Sequence, residues 1–173
     1  MDLHDFFFAP VPAKLAMALD LHARFGARLA AAPPVVFLIA KIEEAAAGLQ
    51  QAMDAMAMAA LCRECGSRPA GGCCSLEMAN ETDAVLFLAN LLLGVPVTVQ
   101  REDGRECSFL GPRSCILRLK PIFCLNYNCA AIRTGNTPSA MAALERAAGR
   151  LLTLQTELEA AILEQLLSTN ELG

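Results

Sequence analysis

Eight cysteines lie between Cys62 and Cys129, and the rest of the 173-residue chain has none. Cysteine thiolates act as nucleophiles, as redox groups and as ligands for zinc or iron. Disulfides are rare in a reducing cytosol, so a dense cysteine pattern in a cytoplasmic protein points to metal binding or redox chemistry. The chain is also long enough to build a core without disulfide staples. Metal binding is therefore the leading hypothesis for this stretch.

The spacing of the cysteines favours several ligands acting together. Cys62 and Cys65 are two residues apart, a gap that lets both thiolates reach one ion. Successive side chains usually point in different directions, so Cys73 and Cys74 are expected to serve different sites, unless one of them is a supporting or buried thiol. Four thiolates complete one zinc site or hold one iron–sulfur cluster, so eight supply two closed sites or one site with spare thiols. The candidate metal ligands are Cys62, Cys65, Cys73, Cys74, Cys107, Cys115, Cys124 and Cys129.

An all-sulfur ligand set suits both zinc and an iron–sulfur cluster, and the spacing does not separate the two. The surplus of thiols over the four that one structural zinc needs favours the cluster. A four-thiolate zinc site keeps about two negative charges, which neighbouring cations would offset. The candidate cations are Arg105, Arg113, Arg118, Lys120 and Arg133.

Several motifs in the cysteine block are shared with a known family. They are Cys62-x-x-Cys65, the doublet Cys73-Cys74, the Lys120-Pro121 pair ahead of a cysteine, and a closing Cys124-x4-Cys129 that contains a tyrosine. With these motifs the block resembles the bacterial CxxCxxCC family of zinc- or iron-chelating proteins (YkgJ-like), over about two fifths of the chain. The resemblance implies that all eight cysteines are ligands of a shared metal site, and flagellin lysine N-methylases contain a similar block. The family usually has two or three residues where seven separate Cys65 from Cys73 here, so this insertion is expected to loop out.

Two helices are predicted before the cysteine block. Apolar residues recur at three- and four-residue steps over Ala13–Ala31 and again from Val35 to about Leu61. Pro33-Pro34 ends the first of these helices. Two helices joined by a proline turn predict an antiparallel pair.

A long helix is predicted after the block, with Thr137 as its N-cap and Pro138 in its first turn. Its apolar stripe runs almost to the end of the chain: Met141, Leu144, Leu151, Leu154, Leu158, Ile162 and Leu166. Such a stripe can pack on the first two helices, or it can form a homodimer or hold a protein partner through this C-terminal helix. Packing within the chain is favoured, because the stripe contains alanines and Gln155 in place of strict leucine heptads.

Within the block, Thr82–Leu93 is predicted as a short buried helix that Asn80 or Thr82 caps. Asp103-Gly104 is a turn signal, so Val97–Gln100 and Glu106–Phe109 are candidate strands of a β-hairpin. The predicted fold class is mainly α, with an N-terminal helix pair and a long C-terminal helix around a small irregular Cys-rich metal-binding module. One domain spans 1–173, with the helix pair in 1–61, the module in 62–133 and the C-terminal helix in 134–173.

Composition excludes several classes of protein. The net charge is −4, and the chain has one tyrosine and no tryptophan, so no basic stripe with stacking aromatics is available to bind nucleic acid. The longest apolar stretch, Ala30–Ala40, is too short to span a bilayer. Asp2 and Asp5 stand where a signal peptide carries basic residues. We therefore expect a cytoplasmic protein with no membrane span.

These observations predict a cysteine-thiolate metal-binding protein that holds an iron–sulfur cluster or zinc. Whether it is an enzyme stays open. One alternative is a subunit of a methyl-transfer or redox enzyme that uses the cluster, although the chain has no GxGxxG loop, nucleophile elbow or HExxH motif. The other alternative is a helical assembly adaptor in which a structural zinc holds the fold.

Overall fold

The computed structural model describes residues 3–66, 72–102, 104, 106–112, 114–126 and 128–168, leaving aside the side chains of Leu3, Arg63 and Cys65. These residues form nine helices and no strand, which confirms a mainly α fold. The helices are α1 (Leu3–Phe8), α2 (Val11–Ala31), α3 (Pro33–Ala55), α4 (Met58–Gly66), α5 (Leu76–Asn80), α6 (Ala84–Leu92), α7 (Ile122–Asn126), α8 (Ala130–Thr134) and α9 (Pro138–Leu167).

The first two long helices form as predicted but do not run antiparallel. Ala32 alone connects α2 to α3, and Pro33 opens the second helix. An antiparallel pair of helices needs a loop of roughly two to five residues to reverse the chain. The two helices therefore meet at a bend of 90°, and the predicted antiparallel arrangement is wrong.

The predicted second helix is interrupted near its end. α3 stops at Ala55 and α4 begins at Met58, where the pattern predicted one helix to about Leu61. Ala57 between them has a φ of 51°, a left-handed conformation that costs a residue with a Cβ about 1–2 kcal/mol. Met56 and Met58 on either side of this residue are both buried. The break separates the helix that carries Cys62 from the longer helix before it.

The long helices pack in pairs around the central helix α6. α3 lies along α9, α2 lies along α6, and α6 also touches α9. Every residue of α6 from Ala84 to Asn90 is buried, as expected for a helix that is apolar on all sides. Its N-cap is Asp83, whose carboxylate accepts a hydrogen bond from the amide of Leu86 at 2.8 Å. The predicted caps Asn80 and Thr82 are therefore wrong.

The C-terminal helix begins as predicted, with the Thr137 hydroxyl accepting a hydrogen bond from the amide of Ala140 at 3.2 Å. Its apolar stripe is buried within the chain, and only Leu154 of the predicted stripe is half-buried. The buried members are Met141, Leu144, Leu151, Leu158, Ile162 and Leu166. A partner that docked on α9 would have to use its outer face.

The predicted β-hairpin is not confirmed. Its described residues contribute one backbone hydrogen bond between the two segments, from the amide of Gln100 to the carbonyl of Ser108 at 2.7 Å. Glu106 forms an isolated bridge with Ser75 instead. The turn residue Asp103 lies outside the described residues.

Across the described ranges, each helix taken alone is too short or too polar to cross a membrane. Only when α2 and α3 are taken together, across the 90° bend between them, do they have the length and apolar composition of a membrane span. The inward faces of both helices are in the core, where Leu21, Leu29 and Ile42 have no exposed surface.

Candidate metal centre

The predicted ligands come from several separate segments of the chain. Cys62 lies on α4, the doublet Cys73-Cys74 precedes α5, Cys107 and Cys115 lie in the segment between α6 and α7, Cys124 lies on α7, and Cys129 is the N-cap of α8. The side chain of Cys65 lies outside the description, as do residues 67–71 of the insertion that was expected to loop out.

A tight turn anchored in the core holds two of the cysteines. Phe109 is fully buried, and its ring centroid lies 5.0 Å from that of Phe87 on α6. The carbonyl of Phe109 accepts a hydrogen bond from the amide of Ile116 at 3.0 Å, and the next residue, Leu110, pairs with Cys115 in an isolated antiparallel bridge. Cys107 lies two residues before Phe109, and Cys115 directly precedes Ile116, so the contacts of the buried Phe109 position the backbone at both cysteines.

The doublet is attached to the same turn through its backbone. The amide of Cys107 donates to the carbonyl of Cys74 at 2.9 Å. The next residue, Ser75, forms the antiparallel bridge with Glu106. These two contacts join segments more than thirty residues apart and place the doublet beside the turn.

A buried amide fixes the chain between Cys115 and Cys124. Asn90 on α6 has no exposed surface. Its Nδ2 donates to the carbonyls of Leu86 and Leu119, each at 2.9 Å. Its Oδ1 accepts from the amides of Arg118 and Leu119 at 2.9 and 3.0 Å. The side chain therefore satisfies both of its donors and both lone pairs of its acceptor, and it ties the central helix to the segment that leads into α7.

The adjacent thiols of Cys73 and Cys74 hydrogen-bond to each other. Their assignment to different metal sites stays a prediction. The bond from Cys74 lowers the pKa of Cys73 to about 6, so Cys73 is the thiolate of the pair at neutral pH. The same bond raises the pKa of Cys74, and burial and the charges of Cys73, Cys107 and Cys115 raise it further. One negative charge therefore sits on this pair at neutral pH, stabilised by the neighbouring S–H group.

Three more cysteines share the electrostatic environment of the doublet. Burial raises the pKa of Cys107, and the charge of Cys115 adds to this effect. Burial also raises the pKa of Cys124 to about 11, with further contributions from Cys115, Cys107 and Cys73. The charges of neighbouring thiols thus raise the pKa of Cys74 and of Cys124, which places five thiols from three regions of the sequence in one neighbourhood: Cys73, Cys74, Cys107, Cys115 and Cys124.

Among the predicted cations, Lys120 acts on this group, because its charge lowers the pKa of Cys124. Arg118 lies 3.8 Å from Glu43 on α3, and Arg133 donates to the backbone carbonyl of Asn128 at 2.9 Å. Arg105 and Arg113 lie outside the described residues. The chain has no acidic residue between Glu106 and Glu145. Every charged residue in the segments that carry the last four cysteines is therefore a lysine or an arginine, apart from the thiols themselves.

Cys62 and Cys129 lie on a neighbouring pair of short helices. α4, which carries Cys62, packs against α8, which begins directly after Cys129. This packing brings the first and last cysteines of the block into the same region of the molecule, although 66 residues separate them in the sequence.

Over the residues that the structure describes, no three cysteine, histidine, aspartate or glutamate side chains stand in a metal-binding arrangement. The five thiols therefore lie near enough for their charges to interact, but among the described residues they do not form a coordination shell. The Cys65 side chain lies outside the described residues.

Sequence reasoning missed Asn90 and a second polar cluster in the helical body. Lys14 on α2 is 1% exposed, and its Nζ donates to the carbonyl of Asn80 at 2.6 Å. Burial lowers the pKa of Lys14, while the negative charge of Asp83 opposes this effect.

The signal for Asn90 was its position as the one polar residue in the run Ala84–Leu92. A lone polar residue in an apolar helix needs partners when it is buried.

The fold and the cysteine cluster together define a helical protein with a cysteine-rich region attached to its bundle. Comparison with protein-family models, with curated proteins and with solved structures gives no match.

Proposed function

We propose that this protein binds a metal through cysteine thiolates, in the form of an iron–sulfur cluster or zinc. The observation that carries the proposal is the convergence of Cys73, Cys74, Cys107, Cys115 and Cys124, thiols of separate segments whose charges act together on the pKa of Cys74 and of Cys124. Packing alone does not account for this convergence, because Cys73 is exposed, whereas a cysteine that serves only as a small apolar residue is usually buried.

The chemistry of the donor set fits a soft cation. Thiols that crowd together raise one another's pKa, because each new negative charge repels those already present. A divalent cation relieves this repulsion and deprotonates the thiols that coordinate it. Cys73 is already a thiolate near neutral pH, so it offers the first ligand without loss of a proton. Lys120 would offset part of the remaining negative charge.

The ligand set that we propose contains all eight cysteines. The five converging thiols form its centre, and Cys62, Cys65 and Cys129 are its outer members. The resemblance of the block to the CxxCxxCC family supports the larger set. Five thiols in one neighbourhood exceed the four that a single zinc needs, and this favours the iron–sulfur cluster, with zinc as the alternative.

The experiment is metal and sulfide analysis, with an absorption spectrum, of protein purified without air. Iron with sulfide and a visible absorption band would establish the cluster, whereas zinc in a colourless protein would establish a structural ion. Protein that holds neither metal, and that takes up neither zinc nor iron with sulfide, would contradict the proposal.

Variants locate the ligands within the cluster. Cys115→Ala is expected to lower the metal content and the thermal stability together, because ligands contribute folding free energy through the metal. Ser114→Ala is the matched control, since Ser114 is an exposed neighbour in the same turn. Equal metal content in the two variants would remove Cys115 from the ligand set. The same comparison with Cys62→Ala tests whether the α4 thiol belongs to the site.

A further inference from the structure

The outward face of α3 carries an aromatic side chain that the fold leaves uncovered. Phe37 is 58% exposed, and the Nζ of Lys41 lies 4.2 Å from the centroid of its ring. Glu44, Gly48 and Gln51 follow at steps of three and four residues, so these side chains form one stripe along the helix. The stripe is about 21 Å long from Phe37 to Gln51 at 1.5 Å per residue.

The far end of this stripe opens into a groove between α3 and α9. The groove has a volume of about 520 Å³. Its lining combines small residues, among them Ala45, Gly48 and Ala147, with the long polar side chains of Glu44, Gln51, Arg146 and Arg150. A Cβ placed on Gly48 would meet no atom within 4 Å. Glu44 spans the groove to Arg150 of α9 at 3.1 Å. The space above Gly48 is open, so an aromatic side chain of a second copy can lie against the Gly48 backbone.

The aromatic ring and the groove match in spacing when two copies of α3 lie antiparallel. In the register that sets Lys41 opposite Glu44 of a second copy, Phe37 falls opposite Gly48 of that copy, because both pairs are centred on the same point of the helix. A two-fold axis then repeats each contact, as an isologous interface requires. One register therefore places both rings in both grooves and forms two pairs of opposite charge.

The neighbouring registers are disfavoured by charge. Sliding one helix by three residues in one direction sets Glu44 against Glu44 of the second copy, and sliding it by three in the other direction sets Lys41 against Lys41. Like charges in direct opposition cost binding free energy, so such contacts select one register against the others.

We propose that the face of α3 from Phe37 to Gln51 is a homodimer interface, in which Phe37 of each copy enters the groove at Gly48 of the other and Lys41 pairs with Glu44. This interface differs from a dimer through the apolar stripe of α9, which is buried within the chain. It does not depend on the cysteine cluster or on a bound metal.

Charge reversal tests the pairing. In sedimentation under reducing conditions, the wild-type chain is expected to approach twice its 18.4 kDa mass as its concentration rises. Lys41→Glu and Glu44→Lys should each weaken the dimer roughly tenfold or more, since each one opposes like charges across the axis. Both residues are exposed, so the fold should tolerate either change. Glu44→Lys also removes the ion pair with Arg150, which is exposed and contributes little to stability. An equimolar mixture of the two variants should restore the dimer, because every pair in the mixed dimer is again Lys with Glu.

Filling the groove tests the aromatic contact. Gly48→Leu has free space in the monomer and replaces a residue of low helix propensity, so the helix content should hold or rise while the dimer is lost. Ala23→Leu, at an exposed position of α2, controls for added apolar surface. A wild-type chain that stays monomeric at every concentration would overturn the proposal. A dimer that survives Gly48→Leu, or a variant mixture that stays monomeric, would also overturn it and would direct the search to other exposed apolar residues such as Ile122 and Phe123.

Discussion

The side-chain amide of Asn90 pairs with the backbone of Leu119 in both directions. Its Nδ2 donates to the Leu119 carbonyl at 2.9 Å, and its Oδ1 accepts from the Leu119 amide at 3.0 Å. A strand partner would offer the same two bonds, and here a helix side chain supplies them to a segment that has no strand neighbour among the described residues. The contact fixes the position of the chain between Cys115 and Cys124 relative to the central helix α6.

Asn90→Ala is therefore expected to destabilise the fold by roughly 3 kcal/mol or more, because it leaves several buried backbone groups without partners. Urea unfolding of the two proteins measures this difference. The variant should also hold less metal, since the segment that positions Cys115 and Cys124 loses its anchor. Asn126→Ala, at an exposed position on α7, is the control and should change stability by less than about 0.5 kcal/mol. Similar losses in both variants would contradict the role assigned to Asn90.

Periodicity predicted the long helices because their apolar faces are continuous and their ends carry proline or a capping side chain. The helix α2 begins at Val11, two residues before the predicted Ala13, and ends at the predicted Ala31. The helix α9 begins at Pro138, as predicted. The direction of the chain between helices was not predictable in the same way. It depends on the single connecting residue Ala32, whose extended ψ of 124° is a local backbone choice that no apolar pattern records.

The cysteine cluster was predictable as a set of residues but not as an arrangement. The spacing identified Cys73 and Cys74 as candidate ligands. The rule that adjacent side chains point in different directions predicted that the two thiols would lie apart. That rule holds for extended chain, whereas here the chain bends at Cys73 just before α5 and the two thiols meet. The contacts that place Cys107 beside them are long-range backbone bonds, and a single sequence gives no signal for such bonds.

Ala57 offers a direct test of the break between α3 and α4. Glycine adopts a positive φ without the steric cost that a Cβ imposes, so Ala57→Gly is expected to stabilise the protein by about 0.5–1 kcal/mol. Ala47→Gly, at an exposed position in the interior of α3, should instead destabilise it by up to about 1 kcal/mol. Thermal unfolding of both variants separates the two effects. A loss of stability in Ala57→Gly would show that this residue does not hold the left-handed conformation in solution.

Glu159 on α9 should make stability depend on pH. Burial raises its pKa from 4.5 to about 7, the charge of Asp83 adds to the shift, and a hydrogen bond with Gln155 partly opposes it. Between these two pH values the folded chain holds a proton that the unfolded chain has released, so this group's contribution to the free energy of unfolding falls as pH rises from about 4.5 to 7. Above that window its contribution is constant.

Glu159→Gln removes this titration. The variant should match the wild type near pH 4 and become progressively more stable than the wild type up to pH 8, as measured by urea unfolding across that range. Glu157→Gln is the matched control, because Glu157 is an exposed residue of the same helix. If the difference between Glu159→Gln and wild type does not vary with pH, folding does not shift the pKa of Glu159.

Cys73 should be the most reactive thiol of the reduced, metal-free protein near neutral pH. Its pKa of about 6 makes it mostly thiolate at pH 7, whereas Cys124, with a pKa of about 11, stays protonated. Alkylation with iodoacetamide, followed by peptide mass spectrometry, should therefore label Cys73 first, with a rate that rises through pH 6 and levels off above pH 7. Cys74→Ala removes the S–H group that stabilises this thiolate, and the labelling rate of Cys73 at pH 6.5 should fall by more than about tenfold. Cys129→Ala leaves that S–H group in place and serves as the control. An unchanged pH profile in Cys74→Ala would mean that the bond between the two adjacent thiols does not set the charge of the doublet.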